Sequence, residues 1–251
     1  YAHLERMKRM IRRDFNHPSI IVWSMGNEAG YGENFRVGYD MMKQMDQSRP
    51  VQYERSLGGE GTDINCPMYL PYDKCEKYLA GNPAKPLIQC EYAHAMGNSM
   101  GGLKEYWDLI RKWDQYQGGF IWDFVDQALC WPVDASKYGT DHVFVFGGDF
   151  NDYDPSDNSF CCNGIIAADR SLHPHAYEVF YQQRSILTSA APEEILSGVV
   201  NVYNENFFID LSRYVMEWEL QVDGVVVRKG YQTVKAAPQQ TVQVRLDGVK
   251  D

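Results

Sequence analysis

Hydrophobic positions in the first half of the chain follow helical and strand-like spacings in turn. Leu4, Met7 and Ile11 recur at intervals of three and four residues, which predicts an amphipathic helix at the start. The continuously apolar run at 19–25 is typical of a parallel strand that is buried on both faces. This alternation continues and indicates a parallel α/β sheet or barrel with crossover helices. Further strands are predicted at 51–55, 63–69, 86–90 and 118–125, and helices at about 33–47, 72–80 and 103–110.

The pattern changes in the second half. Residues 131–169 have the composition of loops, and a helix is predicted to begin at Pro174. Apolar and polar residues alternate along 216–222, and Asp223-Gly224 is a typical hairpin turn, so about four antiparallel strands are expected there. The sequence therefore predicts two domains, an α/β domain over residues 1–192 and an antiparallel β domain over residues 193–251.

Composition and charge narrow the functional classes. The chain has 24 basic and 34 acidic residues and a net charge of −10, which disfavours nucleic acid as a partner. No apolar run approaches the roughly 20 residues that a membrane span needs. The six cysteines lack the spacing of a zinc site, and their dispersion favours reduced thiols and thus a reducing compartment. We expect a cytoplasmic protein, with the periplasm as the alternative.

Two glutamates directly follow predicted strands. Glu28 comes after the strand that ends at Met25, and Glu91 comes after the strand that ends at Cys90. In a parallel α/β barrel, catalytic groups lie beyond the carboxyl ends of the strands. The two strands are three apart in the predicted order, so the glutamates would face each other across the barrel mouth. Opposed carboxylates hydrolyse glycosidic bonds, although a single strand-end glutamate can also be merely solvated.

Two other motifs do not match known sites. The acidic stretch at 149–157 suggests calcium, but its spacing fails the EF-hand pattern. The glycines of 97–102 lack the Gly-Lys-Ser/Thr of a phosphate-binding loop. The histidines also lack the spacing of a metal-dependent hydrolase, which makes that class of enzyme the weaker hypothesis.

Several longer segments resemble a known enzyme family. Residues 16–28 resemble the acid/base signature of glycoside hydrolase family 2, and residues 90–99 are similar to the nucleophile segment of lacZ-type β-galactosidases. The resemblance runs in order from about residue 10 to residue 190. It implies an eight-stranded (β/α)8 TIM barrel, of which the five predicted strands correspond to the fourth to the eighth. Shorter matching segments lie at 66–69, 118–123 and 160–164.

The resemblance assigns roles to the two glutamates and two neighbours. Glu28 matches the acid/base residue, which protonates the glycosidic oxygen and later deprotonates water. Glu91 matches the nucleophile that attacks the anomeric carbon. Asn27 matches a residue that contacts the sugar near its 2-hydroxyl, and Tyr69 matches the tyrosine that hydrogen-bonds the nucleophile. Without the resemblance, Tyr69 is as well explained by packing at a strand end. These roles imply a retaining mechanism, for which the two carboxyl groups lie about 5–5.5 Å apart.

The resemblance also assigns sugar and ion ligands. His94 matches a residue that binds sugar hydroxyls, and Trp122 matches the apolar floor under the ring. The carbonyl of Phe160 and the side chain of Asn163 match a sodium site, and Glu28 matches one ligand of an active-site magnesium ion. Without the resemblance, Trp122 reads as a core residue and His94 as a structural hydrogen-bonding group.

The implied enzyme is a β-galactosidase that removes terminal galactosyl residues from β-galactosides such as lactose. The alternatives are another family 2 exo-glycosidase, of the β-glucuronidase or β-mannosidase type, or a non-catalytic carbohydrate-binding fragment. The segment at 90–99 favours galactosides, and two intact carboxylates favour catalysis over simple binding. The full-length enzyme would be a homo-oligomer.

The chain also departs from the family pattern. The first three barrel strands, the amino-terminal domains and the other magnesium ligands of the family have no counterpart in it. The antiparallel part holds fewer strands than a complete immunoglobulin-like β-sandwich. We therefore expect the chain alone to be inactive, and we expect the apolar face of Leu4, Met7 and Ile11 to need cover from segments outside it.

Overall fold

Residues 1–182 form one unit, and a second unit begins at residue 183. Both are seen in a computed structural model, which describes residues 1–249. The helices are α1 (Ala2–Asp14), α2 (Glu33–Met45), α3 (Tyr72–Ala80), α4 (Leu103–Lys112), α5 (Ala135–Tyr138), α6 (Pro174–Gln182) and α7 (Pro192–Leu196). The strands are β1 (Trp23–Ser24), β2 (Val51–Gln52), β3 (Leu87–Tyr92), β4 (Tyr116–Ile121), β5 (Leu129–Pro132), β6 (His142–Val145), β7 (Ile186–Ser189), β8 (Val199–Asn204), β9 (Val215–Val222), β10 (Val225–Thr233) and β11 (Thr241–Arg245).

Five consecutive segments of the first unit lie side by side and parallel. β1 pairs with β2, and β3 pairs with β4. The segment 63–69 lies between the two pairs. On one side, the amide of Asp63 donates to the carbonyl of Val51 at 2.8 Å, and on the other side the amide of Ile88 donates to the carbonyl of Asn65 at 3.0 Å. The spatial order thus follows the chain order, as in consecutive βα units of a TIM barrel.

These strands are shorter than the sequence predicts. β1 covers two residues of a longer apolar run. The predicted strand at 51–55 continues after β2 as a 3-10 helix, Glu54–Ser56. The segment 63–69 forms isolated bridges only. Side-chain hydrogen bonds replace part of the ladder here, because the carboxylate of Asp63 accepts the amide of Val51 at 2.8 Å.

Helices α1 and α2 pack against each other and against the first two strands. Met7 and Ile11 are 4% and 1% exposed, and they join a cluster that includes Trp23 and Phe35. The expectation that this face needs cover from outside the chain is wrong, because α2 already covers it. Gly38 permits the close packing, since a Cβ there would lie 2.6 Å from the sulfur of Met7.

A buried ion pair joins the end of α2 to β1. The side chain of Asp46 is 1% exposed and accepts hydrogen bonds from the Trp23 indole at 2.8 Å and the Arg49 guanidinium at 2.7 Å. Ser48 donates two more, from its amide at 2.9 Å and its hydroxyl at 2.6 Å. Burial alone would raise the pKa of Asp46, but these hydrogen bonds outweigh it and hold the pKa well below its usual range.

The loop-rich region at 131–169 contains regular structure that the sequence pattern does not reveal. β5 and β6 form an antiparallel hairpin, with the short helix α5 between them. The alternation in these strands is too short to stand out, and most of their residues are exposed. The helix predicted to begin at Pro174 is confirmed as α6.

All strand pairs described in the second unit are antiparallel, as predicted. β8 lies between β7 and β11, and β9 pairs with β10 across the turn at Asp223-Gly224. The second unit begins earlier than the predicted boundary at residue 193, because β7 pairs with β8 and so belongs with the later strands. Residues 250 and 251, the last two of the predicted second domain, lie outside the described residues.

The cysteines and the helices give two further observations. All six cysteines are free. Within residues 1–249, the helices are too short or too polar for any of them to cross a membrane.

Replacing Asp46 tests the buried ion pair. We expect Asp46→Asn to lower the free energy of unfolding at pH 7 by about 3 kcal/mol, because it leaves the guanidinium of Arg49 without its counter-charge. Urea unfolding of the two proteins measures the difference. Asp73→Asn removes an exposed carboxylate of α3 and is the control. Equal losses in the two variants would contradict the role of the buried pair.

The pH dependence of stability should change in the same variant. The folded state lowers the pKa of Asp46 below the value of about 4 of an unfolded chain. The ionised carboxylate therefore stabilises the protein above that pH, and this stabilisation is lost as the pH falls through the folded pKa. Between pH 5 and pH 2, the free energy of unfolding should fall less in Asp46→Asn than in the wild type. Parallel curves would contradict this prediction.

Candidate active site

Two of the strand-end side chains are in direct contact. The hydroxyl of Tyr69 donates a hydrogen bond of 2.8 Å to Oε2 of Glu91. The backbone joins the same two residues, because the amide of Tyr69 donates to the carbonyl of Glu91 at 2.8 Å. Tyr69 ends the segment 63–69, and Glu91 lies near the end of β3. The register of these two parallel neighbours therefore sets the contact between phenol and carboxylate.

The surroundings of Tyr69 keep its phenol protonated. Burial raises the pKa of Tyr69 well above its usual range, and the hydrogen bond to Glu91 and the negative charges of Glu91 and Glu28 raise it further. The phenol is therefore a donor to the carboxylate. The charge of Glu91 raises the pKa of Tyr69 more than the charge of Glu28 does. The separation of the two carboxyl groups by about 5–5.5 Å stays a prediction.

Three residues at the ends of these parallel segments have a left-handed backbone. The φ angles of Glu28, Tyr69 and Ala93 are 51°, 49° and 48°. This conformation costs a residue with a side chain roughly 1–3 kcal/mol, and such residues cluster at active sites. Neighbouring groups must therefore hold the chain in place at each of these turns.

Two polar side chains hold Leu70, the residue that follows Tyr69. The amide of Leu70 donates to Oε1 of Gln89 at 2.7 Å, and the hydroxyl of Tyr106 donates to the carbonyl of Leu70 at 3.0 Å. Gln89 is fully buried in β3, and its Nε2 donates to the hydroxyl of Tyr116 at 2.9 Å. Leu70 is thus hydrogen-bonded at both its amide and its carbonyl, which holds the chain just after the left-handed turn at Tyr69.

Glu28 is more exposed than Glu91 and is held through its neighbours. Its side chain is 57% exposed, and its Oε1 lies 3.4 Å from Nη2 of Arg55. Its amide donates to Oε1 of the buried Glu54 at 2.7 Å. Asn27, the preceding residue and predicted sugar ligand, is exposed. The structure therefore places the predicted acid/base residue at an open edge of the unit, beside a cation.

His94 lies between two aromatic rings beside the Tyr69–Glu91 pair. Its ring centroid is 5.9 Å from that of Tyr69 and 5.8 Å from that of Phe160. The structure therefore brings three of the predicted site residues together with the nucleophile candidate.

Trp122 lies at the end of β4 and is 36% exposed, so it is not a buried core residue. Its amide donates to the carbonyl of Tyr92 at 3.2 Å, and its carbonyl accepts the amide of Ala95 at 2.8 Å. The peptide bond between Trp122 and Asp123 is cis. These bonds place Trp122 beside the segment that carries Glu91.

The residues matched to a sodium site fit a cation in their donor chemistry. Asn163 is 2% exposed, and its Nδ2 donates to the carbonyl of Phe160 at 3.0 Å. Its Oδ1 is buried without a hydrogen-bond partner among the described residues, and so is Oδ1 of the neighbouring Asp123. Oxygen atoms of this kind are the ligands of hard cations. Phe160 and Asn163 therefore fit as a partial sodium site.

The residue matched to magnesium does not form a site within the described chain. Across residues 1–249, no group of three or more histidine, cysteine and acidic side chains could hold a metal ion. Glu28 is the one matched ligand, and the guanidinium of Arg55 lies beside it. We derive no catalytic step through magnesium.

A cleft of about 780 Å³ lies beside the site rather than at its centre. Residues 95–101 form one wall, and Asp126, His173 and Glu178 contribute to the others. The ring of His173 contacts Oδ2 of Asp126 at 2.8 Å, so this pair is satisfied within the fold. Glu28, Glu91 and Trp122 are outside the cleft lining, on the exposed ends of their segments.

Sequence reasoning missed three residues that support the site. Gln89 is a polar residue inside an apolar strand, and this position could have indicated a buried side chain with hydrogen-bond partners. Glu54 and Arg55 read as the end of an ordinary short strand, so their pattern gave no signal. Their role follows from the turn after β2, which brings them against the loop of Glu28.

Comparisons with known proteins find relatives for both parts of the chain. A family model described as "Glycosyl hydrolases family 2, TIM barrel domain" matches residues 1–188, and one described as "Beta-galactosidase, domain 4" matches residues 200–251. A protein named β-galactosidase from Aeromonas hydrophila is 42% identical over 98% of this chain and 24% of its own length. The same name and identity apply to a protein from Photobacterium profundum, with 98% and 25% covered.

The chain spans about a quarter of the length of these curated relatives. Among solved structures, a family 2 β-galacturonidase from Eisenbergiella tayi matches 70% of this chain and 35% of its own, at 19% identity and a TM-score of 0.48. That similarity is too low to carry an argument about the site.

Gln89→Met tests the support of Tyr69. We expect it to lower the free energy of unfolding by about 1–3 kcal/mol, because the amide of Leu70 and the buried hydroxyl of Tyr116 lose their partner. Chemical denaturation measures this change. Gln117→Met, in the neighbouring strand β4, replaces an exposed glutamine and is the matched control. If both variants are as stable as the wild type, the buried amide does not hold this peptide.

Proposed function

Because the chain belongs to glycoside hydrolase family 2, we propose that it supplies the two catalytic carboxylates of a retaining β-galactosidase. One observation carries the proposal: the Tyr69 hydroxyl donates a 2.8 Å hydrogen bond to the Glu91 carboxylate. If Glu91 were only a solvated surface residue, nothing would require Tyr69 to bond both its carbonyl and its carboxylate.

In the proposed mechanism, Glu91 attacks the anomeric carbon and forms a covalent glycosyl-enzyme. The hydrogen bond from Tyr69 fixes Oε2 of the carboxylate, so Oε1 is the oxygen directed to the sugar. Glu28 protonates the glycosidic oxygen as the bond to the aglycone breaks. As a carboxylate, it then takes a proton from the water that attacks the glycosyl-enzyme. Two inversions at the anomeric carbon retain its configuration.

Three further side chains would bind the sugar. His94, beside Tyr69, would bind sugar hydroxyls, and Trp122 would support the apolar face of the ring. Asn27 would contact the 2-hydroxyl, where hydrogen bonds strengthen in the transition state. The exposure of Asn27 and Trp122 leaves them accessible to a ligand.

Two comparisons support the preference for galactosides. The two relatives are named β-galactosidase, and the match at residues 200–251 is to a β-galactosidase domain. A glucuronidase or mannosidase activity is the alternative within the family. A non-catalytic carbohydrate-binding role is the alternative in another class, and both are outcomes of the test below.

The proposal includes a sodium ion held in part by the Phe160 carbonyl and Oδ1 of Asn163. When bound, the ion would offer a positive charge to sugar hydroxyls and orient them. The chain's own contribution is to keep two oxygen donors together, through the 3.0 Å hydrogen bond from Nδ2 of Asn163. A magnesium ion at Glu28 would need ligands from outside the described residues.

The proposal extends to assembly and location. We propose that the full-length protein is a homo-oligomer. We also propose that it lies in the cytoplasm, and the six free cysteines support this location.

Kinetics of two glutamate variants test the mechanism. In the protein as its gene encodes it, Glu91→Gln should abolish hydrolysis of all β-galactosides, because it removes the nucleophile. Glu28→Gln should lower kcat/KM for lactose by about 10²–10⁴-fold, as loss of general acid catalysis does. It should spare 2,4-dinitrophenyl β-galactoside, whose leaving group needs no proton. NMR should detect the β-anomer as the first product.

Glu76→Gln is the matched control, since it replaces an exposed glutamate of α3 that pairs with Lys112. It should retain full activity. Inversion of configuration would contradict the retaining mechanism, and turnover only of glucuronides or mannosides would contradict galactoside specificity. Binding of galactosides without turnover would favour the carbohydrate-binding role.

Sodium binding can be measured without activity. The line width of ²³Na in NMR should increase in the presence of the wild-type protein, and Asn163→Ala should reduce this broadening. Asn151→Ala, in an exposed loop, is the control. Equal broadening with both variants would contradict a role for Asn163 as ligand.

A further inference from the structure

The turn after β2 holds the loop that carries Glu28. The amide of Glu28 donates to Oε1 of Glu54 at 2.7 Å, and the amide of Ala29 donates to the hydroxyl of Tyr53 at 3.1 Å. The hydroxyl of Tyr53 donates in turn to the carbonyl of Gly30 at 2.5 Å. The left-handed turn at Glu28 is therefore fixed by two consecutive side chains of the neighbouring segment.

Arg55, the next residue, reaches the carboxylate of Glu28. Its Nη2 lies 3.4 Å from Oε1 of Glu28, and its Nε lies 3.3 Å from Oε1 of Glu54. Glu54 is 6% exposed, so its charge needs compensation, which Arg55 and the amide of Glu28 supply. Among residues 1–249, Arg55 is the one cation paired with the side chain of Glu28.

The planar guanidinium suits this double contact. Arginine presents donors in a fixed fork, whereas lysine offers one compact charge on a flexible stem. Nε pairs with the buried carboxylate of Glu54, and Nη2 of the same planar group reaches Glu28. Because two carboxylates already compensate its charge, Arg55 is not a free site for an anionic ligand.

We propose that Arg55, braced by Glu54, is a positioning residue for the carboxylate of Glu28. The proposal rests on the function proposed above, in which Glu28 is the acid/base. An acid/base group must lie within hydrogen-bond distance of the glycosidic oxygen, and a misplacement of about 1 Å costs about 10²-fold in rate. Within the described residues, packing covers only about half of the Glu28 side chain, and Arg55 is the cation that contacts it.

Substrates with different leaving groups separate positioning of Glu28 from general damage. A poor leaving group, such as the glucose of lactose, must be protonated as it departs. A 2,4-dinitrophenolate departs without a proton. Since kcat/KM reports the steps up to cleavage of the glycosidic bond, a residue that acts only through Glu28 affects the first substrate and spares the second.

The experiment compares Arg55→Gln, Arg55→Lys and wild type, each in the protein as its gene encodes it. We expect Arg55→Gln to lower kcat/KM for lactose about tenfold or more and to change that for 2,4-dinitrophenyl β-galactoside less than twofold. Arg55→Lys should restore part of the loss, because it keeps the charge without the fork. Arg13→Gln, an exposed arginine of α1 paired with Asp14, is the matched control and should behave as wild type.

Two kinetic outcomes would overturn the proposal. Equal losses with both substrates would show that Arg55 maintains the fold or the sugar pocket rather than Glu28. Unchanged kinetics in Arg55→Gln would show that the carboxylate needs no such partner.

Crystal structures of wild type and Arg55→Gln decide the same question without activity. We expect the carboxylate of Glu28 to take one position in the wild type and to leave it, or become disordered, in the variant. An unmoved carboxylate would overturn the positioning role. If the wild type hydrolyses no galactoside, the proposed function fails, and the structures still decide whether Arg55 positions Glu28.

Discussion

The parallel register of five neighbouring segments is the constraint on which the site depends. Backbone hydrogen bonds join each segment to the next in chain order, so all their carboxyl ends meet at one edge. The amide of Tyr69 bonds the carbonyl of Glu91, and this single pairing fixes the phenol beside the carboxylate. A shift of one residue would turn the side chains of a segment to its other face and separate the two groups.

Buried polar side chains supply hydrogen bonds to the backbone that the short strands do not make. Gln89 holds the peptide after Tyr69, and Glu54 holds the amide of Glu28. Each contacts the end of a neighbouring segment, at the left-handed turns of Tyr69 and Glu28, and this conformation needs support from its neighbours. Asp46 acts similarly at the other end of β1, where it joins α2 to the strand through Trp23. Each of these groups is costly to bury and is retained with its hydrogen-bond partners.

The two carboxylates of the proposed mechanism stand in different surroundings. Glu91 is held by a neutral phenol, which suits a group that must remain ionised and attack carbon. Glu28 is half exposed and lies beside a guanidinium that a buried glutamate fixes in place. The proposed mechanism gives the two carboxylates separate roles. The difference in surroundings arises from the identity of the neighbouring segments, since β3 borders 63–69 while the loop of Glu28 borders the turn after β2.

The sequence by itself determined the order of helices and strands, the parallel class, the antiparallel second part and the pair of strand-end glutamates. These features follow from local periodicity and from motifs that are contiguous in the chain. Strand lengths, the hairpin within 131–169 and the start of the second unit at 183 depended on hydrogen bonds between distant segments, which no local pattern contains. The same holds for Arg55 and Gln89. Their importance lies in the segments that they contact, and only the tertiary structure brings those segments together.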